Sequence, residues 1–232
     1  MSARFLAIII VGVFWNNFNE VKGAPSNIPA GSVRVSGEAW SSNIGWIKFD
    51  PSYGGVFYNQ TTGNLSGYAW SSNIGWIKFE NLSANPEGIG GASAKVDSPS
   101  SLTSSTVSGW ARVCAGTSSG TCGDMASRTD GWDGWIKFDT GKENPVSIDL
   151  NPNHQRETPL YGDFSGYAWG SDVVGWISFN CSNTNTCGTS NYNVHANLVS
   201  SSSSSSSSSS VSRGSSSSSS SSSVSRGSSS SS

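Results

Sequence analysis

Trp46, Trp76, Trp135 and Trp176 each follow a glycine, and three of them stand two residues ahead of a lysine: Lys48, Lys78 and Lys137. A flat indole on a rigid support stacks on the apolar face of a sugar ring. Tryptophan also anchors protein interfaces. This row of four indoles and three lysines is the leading candidate for ligand binding. The competing reading places each indole in a packed sheet face, because likeness between copies also follows from packing of one repeat on the next. Trp132, at the end of a long insert, is a second binding candidate, since loops on rigid scaffolds commonly carry function. Arg112 occupies a core-type position, from which its side chain can snorkel or stack on a ring.

Other chemistry is thinly represented. Asp130 and Asp133, with Asp50, Glu80, Asp139 and Asn180, are calcium candidates. Asp-Gly turns form without any ion, so the expectation is no cofactor, with calcium as the alternative. The two histidines, His154 and His195, lie in no HisGluXXHis motif, and no GlyXSerXGly elbow appears. The GlyIleGlyGly run at 88–91 has no lysine and is no phosphate loop. Paired carboxylates for glycoside hydrolysis need only spatial proximity, so a hydrolase stays open as a third reading. Asn59, Asn64, Asn81 and Asn180 lie in AsnXSer/Thr sequons, which matter only where a host glycosylates them.

The four cysteines fall into two local pairs, Cys114 with Cys122 and Cys181 with Cys187. Behind a signal peptide they read as two loop-stapling disulfides. The spacings are not those of a zinc ribbon.

The elements that carry these residues repeat. Residues 36–49 read SGEAWSSNIGWIKF and residues 66–79 read SGYAWSSNIGWIKF. A third copy runs from SGWARV (108–113) to GWIKF (134–138) around the insert, and a fourth is SGYAWGSDVVGWISF (165–179). Such self-similarity marks a repeat architecture. In the second unit 55–59, 65–70 and 75–79 are strands by their β-branched and aromatic content. Each unit is therefore a three-stranded antiparallel meander, and the expected fold is all-β: four units in a sandwich, barrel or propeller-like array. The first unit lacks its opening strand, and an orphan strand at 192–197 follows the fourth, so the array closes in a permuted way. A connection at 71–74 would pair Trp70 with Gly75, Ala69 with Trp76 and Tyr68 with Ile77. With side chains alternating, Tyr68, Trp70, Ile77 and Phe79 then form the core face, and Gly67, Ala69, Trp76 and Lys78 the other. In the first unit Glu38, Trp40, Ile47 and Phe49 take the core face.

The repeats occupy about 25–199. Residues 1–23 pair a charged start with the apolar run 5–15, which is too short to span a bilayer and fits a secretory signal cleaved before Ala24. From 200 to 232 serine dominates, with ValSerArgGly at 211–214 and 224–227. Such a tract buries no apolar area and reads as a flexible tether. The charge of −2 and 12% charged residues give no basic patch, which argues against nucleic acid as partner. Membrane association is expected only through the signal peptide or an anchor beyond the chain end.

The phrases GYAWSSNIGWIKF, GWARVCAG, DGWDGWIKF and GYAWGSDVVGWISF resemble repeats of predicted exported surface proteins of ultra-small candidate-phylum bacteria. The resemblance spans about 33–180. That family has no assigned activity, so the resemblance implies location and style, not mechanism. A weaker likeness is to Trp-rich cell-wall-binding hairpins that hold amino sugars or choline, but their Trp-Tyr-Tyr core is missing and no site carries over. The expectation is a secreted or cell-surface adhesion or carbohydrate-binding module, not an enzyme, with cell-wall or host glycans or surface proteins as partners. The alternative is a purely structural envelope or stalk protein.

Overall fold

The computed structural model describes residues 28–82, 85–88, 93–141, 143–151 and 160–198. The expected signal peptide, the serine tether, His154 and most of the 88–91 run lie outside them.

The first repeat contributes β1 (Ser32–Ser41) and β2 (Gly45–Lys48). The second is the expected meander of β3 (Gly55–Asn59), β4 (Leu65–Ser71) and β5 (Gly75–Lys78). The third has β6 (Lys95–Val96), β7 (Ser104–Ser108), β8 (Trp110–Val113) and β9 (Trp135–Lys137). The fourth has β10 (Ser147–Asp149), β11 (Leu160–Ser165), β12 (Tyr167–Trp169) and β13 (Trp176–Ser178). β14 (Val194–Leu198) comes last and pairs with β1, Val35 facing Ala196. It is the opening strand that the first repeat lacks, so the closure is permuted as the sequence predicts.

The four GWIKF hairpins pair side by side into a closed, eight-stranded antiparallel barrel. Its order is β1, β2, β4, β5, β8, β9, β12, β13 and back to β1. Below it, the opening strands fill the gaps between the long strands: β3 between β1 and β4, β10 between β7 and β11, β14 between β11 and β1. β6 pairs with β7 and touches the start of β4 through Asn64 and Lys95. Each long strand hands over from its lower partner to its upper one at the glycine of the SG pair. Thus Phe49, Phe79, Phe138 and Phe179 donate their backbone N–H to the carbonyls of Gly37, Gly67, Gly109 and Gly166. Gly67 holds φ +85°, and a Cβ there would lie 2.1 Å from the Gly55 carbonyl oxygen, so no other residue fits.

Inside, the repeat becomes pseudo-fourfold packing. Phe49, Phe79, Phe138 and Phe179 form a closed ring, with neighbouring centroids 5.7, 5.8, 5.7 and 5.6 Å apart. Next to it lie Ala39 opposite Ile47, Ala69 opposite Ile77, Ala111 opposite Ile136 and Ala168 opposite Ile177, all buried. One apolar cluster continues from there to Val33, Val96, Val107, Ile148 and Val194 around the lower strands. The alternation of small and large residues fills the narrow interior of an eight-stranded barrel.

The register corrects one expectation. Ser71 faces Gly75, Trp70 faces Trp76, Ala69 faces Ile77 and Tyr68 faces Lys78. The hairpin has a three-residue tip with Gly75 at φ +76°, the left-handed position that closes such loops. The slip by one residue moves Trp70 and Tyr68, and likewise Trp40 and Glu38, from the core to the outer face, while Ala69 takes the inner one. Ile77 and Phe79 remain inside and Trp76 and Lys78 outside, as expected. The SerSerAsn of each tip also has a structural task. The Ser41 and Ser71 hydroxyls accept the N–H of Asn43 and Asn73, and the two asparagine side chains donate to the carbonyls of Asp172 and Ile44 on neighbouring tips. In the fourth repeat a helical turn, α1 (Ser171–Val174), replaces the tip. No helix among the described residues is long and apolar enough to cross a membrane.

Candidate functional site

Three hairpins carry an outward pair of indoles directly across their two strands. They are Trp40 with Trp46, Trp70 with Trp76, and Trp169 with Trp176, at centroid distances of 4.6, 4.7 and 4.9 Å. The rings of each pair are inclined by 60°, 64° and 53°. Each pair is therefore a notch with two apolar walls rather than a flat platform. One member of each stays open to solvent: Trp46 at 40%, Trp70 at 37% and Trp176 at 43%. A third aromatic buttresses each notch edge-on, Tyr192 against Trp46, Tyr68 against Trp76 and Tyr167 against Trp176.

The residue beside each notch on the adjoining strand comes from the same step of the repeat. Lys48 stands opposite Trp70, Lys137 opposite Trp169 and Ser178 opposite Trp40. Lys48 is exposed and faces Glu38 across the β1–β2 hairpin. Lys137 is ion-paired with Glu87, its ammonium 5.3 Å from the centre of the Trp110 ring. Ser178 is buried beneath Tyr192, whose hydroxyl donates to its oxygen. Two notches thus have a cation with a carboxylate at their flank, a donor and an acceptor next to apolar ring faces.

The third hairpin departs from this arrangement. Arg112 stands where the others have tryptophan and stacks on Trp135 at 4.7 Å. The Cys114–Cys122 disulfide is formed, and the insert it staples folds down over the pair. Arg112 donates to the carbonyls of Asp133, Met125 and Ala126 and to the Ser127 hydroxyl. Burial lowers its pKa, and the Asp133 and Asp124 carboxylates offset only part of that shift. Trp135 packs with Leu82, Trp110 and Met125, and Lys78 donates to the Cys122 carbonyl. Arg112 and Trp135 are 2% and 6% exposed, so these two binding candidates have no surface to offer a ligand. Trp132, expected at a loop tip, is half-buried against the barrel core instead.

The four indoles of the expected row consequently form a belt around a closed barrel. Their common strand position is as expected, but closure points them away from one another. Trp40, Trp70 and Trp169, which complete the notches, were hidden by the register. For Trp40 and Trp70 the signal that reveals them is the glycine ending the tip, Gly45 or Gly75, which shortens the loop by one residue.

The remaining polar candidates have local partners. Asp130 is ion-paired with Arg128, and Asp133 accepts the Trp135 N–H. Among the described residues no group of three or more His, Cys, Asp and Glu side chains gathers. Asp124 lies well below the usual carboxylate range because the Ser118 hydroxyl and the Ala126 and Ser119 N–H groups donate to it. A polar cavity of about 520 Å³ opens beside it in the insert, lined among others by Thr117, Ser118 and Arg128. Asn59 receives the N–H of Thr61 and Thr62 and donates to Ala30, and Asn180 caps the turn Cys181–Thr184 and donates to Phe164. The second disulfide, Cys181–Cys187, closes that turn. Two formed disulfides fit an oxidising, extracytoplasmic environment.

Comparison with protein-family models, with curated proteins and with solved structures returned no match.

Proposed function

We propose that this chain is an exported, non-catalytic module that binds glycans at the tryptophan notches of its barrel, held off the cell by its serine tract. The observation that carries the reading is the outward indole pair with one ring open to solvent, flanked in two of the three notches by a Lys/Glu pair. A sugar offers an apolar C–H face and a rim of hydroxyls, and such a notch offers both counterparts. A protein partner needs about 800 Å² of contiguous surface with an apolar centre. Here the open indoles are separated around the barrel, and the outer face of the lower strands beneath them carries Ser36, Ser66, Thr106, Ser147 and Asp163. That distribution favours small ligand units over a protein interface. The polar outer face of the lower strands also supports a barrel that stands in water, since a membrane barrel presents an apolar band there.

The test is acrylamide quenching of the full chain's tryptophan emission, followed by titration with N-acetylglucosamine–N-acetylmuramic acid oligosaccharides and neutral plant and host glycans. Protection of a quenchable fraction is expected, reduced in Trp70→Ala and lost when Trp46, Trp70 and Trp176 are all replaced by alanine. Quenching that no glycan alters would sink the reading and leave the purely structural envelope role.

A further inference from the structure

The barrel repeats its notch, and the copies do not share a side. Hairpins β1–β2, β4–β5 and β12–β13 each keep one indole open, while β8–β9 is sealed by the disulfide-stapled insert. In the ring of eight strands β4–β5 and β12–β13 are separated by two strands in either direction, so they face opposite ways. β1–β2 lies between them on one flank, and the sealed β8–β9 on the other.

From this geometry we infer that one chain holds three independent glycan sites, centred on Trp46, Trp70 and Trp176, and links separate glycan strands rather than gripping one strand along a ladder. The inference rests on the glycan reading above. A single strand laid along one face meets one open notch fully, because the next is a quarter-turn around the barrel. Three weak contacts on three strands give a strong attachment through effective concentration. The sealed position gives the barrel one side without a site. That side is where Arg112 replaces tryptophan, so the sequence departs from the repeat at the same place where the insert covers it.

The inference is tested with the full chain labelled with 5-fluorotryptophan and titrated with a tetrasaccharide of alternating N-acetylglucosamine and N-acetylmuramic acid. The fluorine resonances of Trp46, Trp70 and Trp176 are expected to move, and those of Trp132 and Trp135 to stay. Calorimetry should give three tetrasaccharides per chain. Trp46→Ala, Trp70→Ala and Trp176→Ala should each lower that to two, with near-ultraviolet circular dichroism verifying the fold. Long glycan should be crosslinked into turbid networks by the parent chain and bound without turbidity by a double variant. One tetrasaccharide per chain, abolished by a single variant and indifferent to the other two, overturns the three-site inference and leaves glycan binding standing. No resonance shift with any glycan overturns both.

Discussion

At the scale of single residues, two positions show how tightly the barrel constrains its chemistry. Gly67 sits in the left-handed region against the Gly55 carbonyl. Gly67→Ala is therefore expected to destabilise by more than ~2 kcal/mol, read as a lower urea midpoint, because strain and overlap add. Tyr58 is wholly buried, and its hydroxyl has no hydrogen-bond partner among the described residues. Burial pushes its pKa up to about 12 from 10.0. The folded state keeps this proton after the unfolded chain has released it, so stability is full below pH 10 and falls as pH rises towards 12. Tyr58→Phe should reduce that alkaline loss in pH-dependent melts. At neutral pH it should gain stability, on the order of 1 kcal/mol, as an unsatisfied buried hydroxyl is removed.

At the scale of elements, the repeat made the meander, the strand positions and the missing first strand readable. GlyValPheTyrAsn at 55–59 is a strand to the residue, and Phe49, Phe79, Phe138 and Phe179 alternate inward as they should. What was misread is whether the tip holds three or four residues, although Gly75 marks its end, and that single step decides whether Trp70 is core or surface. The insert was opaque, since the contacts that pin Arg112 beneath it link positions 13 to 21 residues apart. Composition alone gave no sign of that cover. The Cys114–Cys122 staple belongs to this element. Replacing both cysteines by serine should cost about 2–3 kcal/mol on loop-entropy grounds. If the staple holds the cover down, Trp135 then becomes open to acrylamide while the Phe ring and the far hairpins stay native.

At the scale of the whole molecule, the insertion of β14 between β11 and β1 makes the order of the strands in the chain separable from their order in space. Leu198 ends beside Val33, since Ala196 faces Val35 in an antiparallel pair. A circular permutant that joins 198 to 31 by a short turn and starts at Gly141 should therefore fold, with the parent's emission maximum and quenching. Loss of cooperative unfolding in that permutant would show that chain order, and not only pairing, is needed. The same insertion sets a schedule for biosynthesis. Until residues 194–198 have emerged, β1 and β11 both present unpaired edges, and nothing earlier in the chain is shaped to fill the space between them. In that interval the upper barrel can close through β13 on β1 while the lower sheet stays open. Two chains held close together at that stage share the same gap, so refolding at high concentration is expected to raise the fraction of strand-exchanged dimers, read by size-exclusion chromatography.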